Sequence, residues 1–322
     1  MLKLNKYRML VLSGFAFIIP CSPAFSQCCS SGSPTGASTF IGLLNKNTLH
    51  VISFYRNSFS DVYYKGSVKD TDYAFVKNSS FDYVGLSVGY GLTKKITAEY
   101  EMGYFISKIQ RYNLTPEYLL KGYGLSNGSI LLKYGLLVKP AKNIEITAGT
   151  GIKFPFTMEP QYVNNVKLPR DIQPSTGAFG FTSQLFFNKG FPSITLRVFS
   201  LNKYEINGAN SEDYRYGNFL MNSLFISKKI CNNFFGIIQF RSDNRQPDRY
   251  NKVVFVNSGS EVIFVSPHLS YSISGKWHID ILTDFPVYKN YVGKQLTPKY
   301  SYAISLTRDF NNCVPKEPVN QK

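Results

Sequence analysis

The sequence predicts an all-β chain folded as a single antiparallel transmembrane β-barrel of about twelve strands, with short periplasmic turns and long extracellular loops. Three observations predict it. Residues 81–106 alternate with a period of two: Val84, Leu86, Val88, Tyr90, then Ile96, Ala98, Tyr100, Met102, Tyr104 and Ile106 share one face, while Gly85, Ser87, Gly89, then Thr97, Glu99, Glu101 and Gly103 share the other. An oily face over about ten residues per strand, backed by small, polar and charged residues, suits lipid outside and a polar lumen inside. Strand-like runs then recur along the chain, and the gaps between them are alternately long and short. Finally, 23 Tyr, 26 Phe and 24 Gly against only 17% charged residues suit many strands joined by tight turns.

The first residues read as a targeting segment. Lys3, Lys6 and Arg8 precede an apolar run from Met9 to Ile19, and Ala24-Phe25-Ser26 places small residues for cleavage before Gln27. Residues 1–26 are therefore assigned as a signal peptide. Lipidation at Cys21 is disfavoured because Pro20 stands where a small residue is expected. Residues 27–46 form a Ser/Gly/Cys-rich periplasmic lead-in whose apolar patch, Phe40 to Leu44, can cover one end of the barrel. No apolar run of about 18 residues follows, so a transmembrane helix is not expected.

The barrel is assigned to residues 47–310. Its runs are Thr48 to Tyr63, Phe81 to Leu92, Lys95 to Ser107, Gly124 to Val138, Asn143 to Phe154, Thr176 to Asn188, Pro192 to Tyr204, Asp213 to Lys228, Asn232 to Asn244, Glu261 to Ser274, Lys276 to Tyr288 and Pro298 to Phe310. The first, third and later odd gaps are long (Tyr64 to Ser80, Lys108 to Tyr123, Pro155 to Ser175, Glu205 to Glu212, Arg245 to Ser260, Lys289 to Thr297); the even ones are brief. A soluble sandwich has no reason to alternate in this way. An even count puts both ends of the sheet on one side, so Cys28, Cys29, Cys231 and Cys313 share the periplasmic rim. They are disulfide candidates, with unpaired thiols or a thiolate metal site as the alternatives. Residues 311–322, with Pro315 and Pro318, read as a disordered periplasmic tail.

Charge inside a lipid-facing band costs about 2–4 kcal/mol for Lys or Arg, so the charged residues of the strands belong inside. The expected pore lining is Glu99, Glu101, Lys133, Glu145, Lys153, Arg197, Gln239, Arg241, His278, Asp280 and Asp284. Pooled by strand, the bases fall between the fourth and ninth runs and the acids in the third and eleventh. Opposed arcs producing a transverse field are expected, with mutual pairing that plugs the lumen as the alternative. The net charge of +16 points to anionic lipid, lipopolysaccharide or anionic solutes, since an exported barrel does not meet nucleic acid.

No enzyme is expected. His268, flanked by Ser266 and Ser270, with His278 and Asp280 on the next run, is the nearest thing to a wall-type lipid hydrolase, and Ser126-Asn127-Gly128 has no histidine beside it. No catalytic residue, cofactor or metal site is assigned. The expected function is a porin-like passive outer-membrane channel for a small hydrophobic or zwitterionic solute. A structural barrel that docks a partner through its cysteine rim or loops is the second reading.

The Gln after the cleavage site, the Cys-Cys-Ser-Ser-Gly lead-in and the closing Tyr302-Ala-Ile-Ser-Leu-Thr-Arg-Asp-Phe310 resemble outer-membrane β-barrel proteins of Bacteroidetes-like bacteria. In pattern and length the chain is also similar to the phenol-degradation "meta" proteins, relatives of the long-chain fatty-acid transporters. That resemblance implies passage of small hydrophobic molecules. It departs from the fatty-acid transporters in having fewer strands and no N-terminal hatch domain.

Overall fold

The computed structural model describes residues 42–72, 75–273 and 276–311. The predicted signal segment, most of the predicted lead-in and the predicted C-terminal tail, with Cys28, Cys29 and Cys313, lie outside the described residues. Within them there are β-strands and three short 3-10 turns, and no α-helix.

The barrel strands run in chain order around the ring. They are β1 (Thr48–Gly66), β2 (Val76–Gly91), β3 (Ile96–Tyr112), β4 (Asn127–Lys139, prolonged upward by Tyr118–Leu125), β5 (Ile144–Pro155), β6 (Gly180–Phe191), β7 (Leu196–Asn207), β8 (Phe219–Cys231), β9 (Phe234–Arg245) and β10 (Ser260–Ser272), followed by the long run Trp277–Asn311. At about 3.3 Å per residue a straight strand of 35 residues would far exceed a bilayer. It folds back at Gly293, which has φ +75. Four contacts step along the two arms in antiparallel register: Asp309 N to Lys276 O, Ser305 with Asp280, Ser301 with Asp284, and Lys289 with Thr297. Residues 277–291 are therefore β11 and residues 294–311 are β12. β12 pairs with β1 from Thr48↔Asn311 to Lys65↔Lys294 and closes the ring.

The alternation read from sequence holds in these strands. Leu86, Ile130, Leu132, Leu136, Ile152, Leu185, Leu224, Ile226, Phe240, Leu269, Ile281, Ile304 and Leu306 are exposed on the outside. Their neighbours Ser87, Leu131, Lys133, Phe186, Phe225, Arg241, Asp280 and Ser305 are buried inside. A soluble protein does not carry a continuous apolar girdle of this extent, whereas a membrane barrel requires one.

Short turns lie at one rim. Two of them are built alike: Pro140–Lys142 and Pro192–Ile194 each start a 3-10 turn with proline, whose ring presets φ, and end on a left-handed residue, Asn143 (φ 51) or Thr195 (φ 51). The opposite rim carries the longer loops, which include the hairpin strand Val68–Asp70, the ribbon Tyr162–Val163/Val166–Lys167, and a three-stranded sheet of Tyr214–Arg215, Arg249–Tyr250 and Val253–Val254.

The structure corrects the predicted loops at this rim. The segment Lys289 to Thr297 is strand and a two-residue turn, β1 runs to Gly66, β2 begins at Val76, β3 runs to Tyr112, and Glu205 lies within β7. Period-two hydrophobicity marks only the part of a strand that meets lipid. Above the membrane both faces are wet, and the pattern that delimits the strand disappears.

We expect Leu132→Arg, a change at an exposed outer position of β4, to cost about 2–4 kcal/mol in unfolding titrations of vesicle-inserted protein. A cost below about 0.5 kcal/mol would mean that this face meets water.

Candidate functional site: the lumen and its two ends

All eleven predicted lining residues have their side chains on the inner face, buried or half-buried. The expectation of opposed acidic and basic arcs is overturned, because the charges interleave and pair. Lys133 (0% exposed) forms an ion pair with Glu99 (5%) across the β3/β4 contact. Asp284 (0%) is a hub: Arg241 reaches it at 3.3 Å and Arg56 at 3.4 Å, Ser301 donates to it at 2.9 Å, and Ser266 donates to it as well. Arg241 also meets Asp243 at 3.2 Å and lies over the Phe264 ring. Lys153 pairs with Glu205 at 3.1 Å, and Lys203 with the other oxygen of the same carboxylate at 2.8 Å. Buried charge in a low-dielectric interior is tolerable only when paired, which draws these bases to acids on their own or nearby staves.

The remaining predicted residues are similarly engaged. Glu145 accepts from Leu43 N and from Thr147; Arg197 donates to Asn188; Gln239 donates to Ser223 and meets His268; Asp280 accepts from Ser305. His278 is buried on β11 near the His50–Asp309 pair that bridges β1 and β12. The hydrolase constellation is not assembled. Ser266 donates to Asp284, and His268 faces inward with Gln239 as its partner, so these two do not form a serine–histidine pair.

Sequence reasoning missed Arg56, Lys203, Glu205, Asp243 and Asp309, most of which lie near strand ends, where the lipid signal is weak. It also did not anticipate an apolar inner slab. Phe186, Phe199, Leu201, Met221, Phe225 and Ile237 are all buried, with Phe199 and Phe225 stacked at 4.5 Å and 8°. The signal was present: on β6 to β9 apolar residues occupy both parities, which two-solvent alternation alone does not explain. Not all of the interior is dry. The side chains of Lys153, Lys203 and Glu205 retain 16%, 20% and 17% exposure, so water reaches this triad.

Two segments enter the barrel ends. At the short-turn rim Leu43 N donates to Glu145 at 2.6 Å and Leu44 N to Thr97 at 2.9 Å, while Leu44 packs on Ile52 and Phe54. Any side chain at Gly91 would strike the Asn45 carbonyl, and one at Gly135 would strike Leu43, so these two glycines clear the segment's path. Cys231, an exposed free thiol, is at this rim.

At the long-loop rim, residues 156–179 form a lid. Leu168 and Ile172 are fully buried, and Gln173 braces the turn by donating to the Gln161 and Leu168 carbonyls. One side is held by Lys108 of β3, which donates to Gln173 O at 2.9 Å, and by Gly122, whose missing side chain admits the Ile172 carbonyl. On the other side Arg170 lies over three rings: Tyr214 at 4.0 Å, Tyr250 at 5.3 Å and Phe255 at 5.5 Å. Contacts of this kind are worth about 0.5–2 kcal/mol each, depending on desolvation. Tyr214 donates to Asp248, which also accepts from Gly217 N at 2.7 Å. Burial, reinforced by that carboxylate, raises the Tyr214 phenol above its ordinary range, and burial pushes Tyr216 up to about 12, so both rings stay neutral. β3 and β4 stand roughly opposite β8 to β10 in a ring of twelve, so the lid crosses the mouth.

A closed ring with an oily exterior, paired charges within and inserted segments at both ends defines a β-barrel of the outer-membrane type. Comparison with solved structures agrees on the fold. The chain is similar to an outer membrane channel from Pseudomonas putida F1 with a TM-score of 0.66 and 11% identity, covering 83% of this chain and 97% of that one. Weaker likenesses are to the NanC porin (TM-score 0.45, 12% identity, 81% and 98% covered) and to a Pseudomonas aeruginosa FadL homologue (TM-score 0.44, 9% identity, 85% and 92% covered). No protein-family model matches the sequence, and no curated protein matches it.

We expect Lys133→Met and Glu99→Gln each to cost about 3–5 kcal/mol in unfolding titrations, because each strands a buried charge, and the double variant to recover much of that loss. Additive losses would show that the two side chains do not act as a pair.

Proposed function

We propose that the protein is a passive outer-membrane channel for a small solute, exported by means of its N-terminal signal segment. The observation that carries this reading is the segregation of polar and charged side chains to the inner face, with a water-reached triad of Lys153, Lys203 and Glu205 among them. A barrel kept only as a wall has no need of wet charge in its lumen. The apolar slab around Phe199 and Phe225 beside that triad favours a solute with both an oily and a charged part, in keeping with the resemblance to the phenol-degradation group. Basic side chains on the outer loops, Arg215, Arg249 and Lys252 among them, suit lipopolysaccharide phosphates.

A second reading, a structural barrel that docks a partner, is favoured by the packing of Lys133, Arg241 and Asp284 into a dry interior. Planar-bilayer recording separates the two. The channel reading expects ohmic openings whose reversal potential in a salt gradient moves toward cation selectivity in Lys153→Glu and Lys203→Glu. Silence of pure wild-type protein, with a co-purifying partner, would favour the scaffold.

A further inference from the structure

The lid is fastened in an unusual way for a cation. The Arg170 guanidinium is held by ring faces, and its Nε, although buried, has no hydrogen-bond acceptor among the described residues. The rings belong to two other loops: Tyr214 comes from residues 208–218, and Tyr250 and Phe255 come from residues 246–259. Asp248 fixes this box through the Tyr214 hydroxyl and the Gly217 amide, and Asp248 N in turn donates to Ser258 at 2.9 Å. The box therefore has its own internal support and does not depend on Arg170 for its shape. Tyr214 is buried at its base, while Tyr250 and Phe255 are more than a third exposed at its edge, so the box adjoins the outer solution.

A preformed aromatic box with a carboxylate behind it is a receptor for weakly hydrated organic cations, since ring faces attract a positive charge without requiring it to donate hydrogen bonds. Here the chain's own side chain fills it. We propose that Tyr214, Tyr250 and Phe255 form an extracellular binding site for an organic cation of the guanidinium or quaternary-ammonium class, occupied in this conformation by Arg170, so that an external cation displaces the arginine and frees the lid. The lid is held besides by burial of Leu168 and Ile172, by Lys108 to Gln173 O and by Ser175 and Thr176 on Asn127, but toward β8 to β10 only the Lys167–Glu212 pair and Asn210 to Thr176 O accompany the box among the described residues, so loss of the box contact loosens that side. Ligand occupancy and lid opening are then one equilibrium.

Displacement would matter for transport only under the channel reading above; the cation site itself does not need it, and the test keeps the two apart. Leu168 is fully buried beneath the lid, so maleimide labelling of Leu168→Cys in the vesicle-inserted full chain, read by mass spectrometry of that peptide, reports lid opening. Adding Arg170→Gln is expected to speed labelling about tenfold. With Arg170 present, tetramethylammonium is expected to speed it saturably while sodium at equal ionic strength does not, and Tyr250→Leu with Phe255→Leu is expected to abolish the ammonium effect. Ala178→Cys, a near-isosteric change at a second buried lid position, carries the same readout if Leu168→Cys does not insert. Labelling unchanged by Arg170→Gln, or equal responses to sodium and tetramethylammonium, would overturn the proposal. Conductance without any labelling response would leave the channel reading standing and sink the site; a labelling response in a silent barrel would do the reverse.

Discussion

The pairing of β12 with β1 is the constraint on which the structure depends. Hydrocarbon offers no partner to a backbone amide or carbonyl, so a sheet that enters a bilayer must have no open edge. The register from Thr48↔Asn311 up to Lys65↔Lys294 meets that demand along nearly the full length of both strands. Once the ring is closed, every strand has one face toward lipid and one toward the lumen, and a single residue of slip would exchange them. The near-unbroken registers of the other strand pairs, with bulges at places such as Gly135/Leu137 and Val76/Asn78, follow from the same demand.

Closure then sets the chemistry of the interior. Charged residues excluded from lipid converge in a narrow space of low dielectric, where an unpaired one costs several kcal/mol. The lumen solves this by pairing: Lys133 with Glu99, Arg56 and Arg241 on Asp284, Lys153 and Lys203 on Glu205. The pairs leave little uncompensated charge among the residues named. The apolar slab on β6 to β9 occupies volume on the inner wall that polar side chains would have to fill with partners. Local neutrality, rather than opposed arcs, is therefore what a small barrel imposes on its contents.

What was legible in the sequence follows from what imposes periodicity. Val84, Leu86, Ile130 and Leu132 could be placed outside from alternation alone, because lipid selects them one by one, and their inward neighbours followed. The Pro140 turn and the shared rim of the ends were legible for a related reason, since short connections leave few alternatives, whereas the next such turn lies at Pro192–Ile194, three residues beyond the connection expected at Lys189 to Phe191. The height of β11 and β12 above the membrane was not legible, because Lys289, Gln295 and Thr297 stand where both faces meet water. Nor were the partners of the charges. Which acid meets Lys153 depends on Glu205 being strand rather than loop, and Arg170's place over three rings depends on loops more than 40 residues away in sequence. Gly91, Gly122 and Gly135 read as ordinary strand glycines until the segments that pass them are seen.

The two ends of the barrel are narrowed by different physics. At the short-turn rim the entering segment gives its backbone amides to Glu145 and Thr97, buries Leu44 against Ile52 and Phe54, and passes glycines that leave no slack. Withdrawing it would expose an amide, a carboxylate and an apolar cluster together, and each carries its own penalty. At the long-loop rim the lid buries Leu168 and Ile172 as well, but its contact with the loops after β7 and β9 is a guanidinium over ring faces, which a soft cation in solution matches in kind. A buried hydrogen bond has no such competitor. Under the displacement proposed above, the long-loop mouth is the responsive end and the short-turn segment the fixed one, and the exchangeable contact lies outside the paired charges of the lumen.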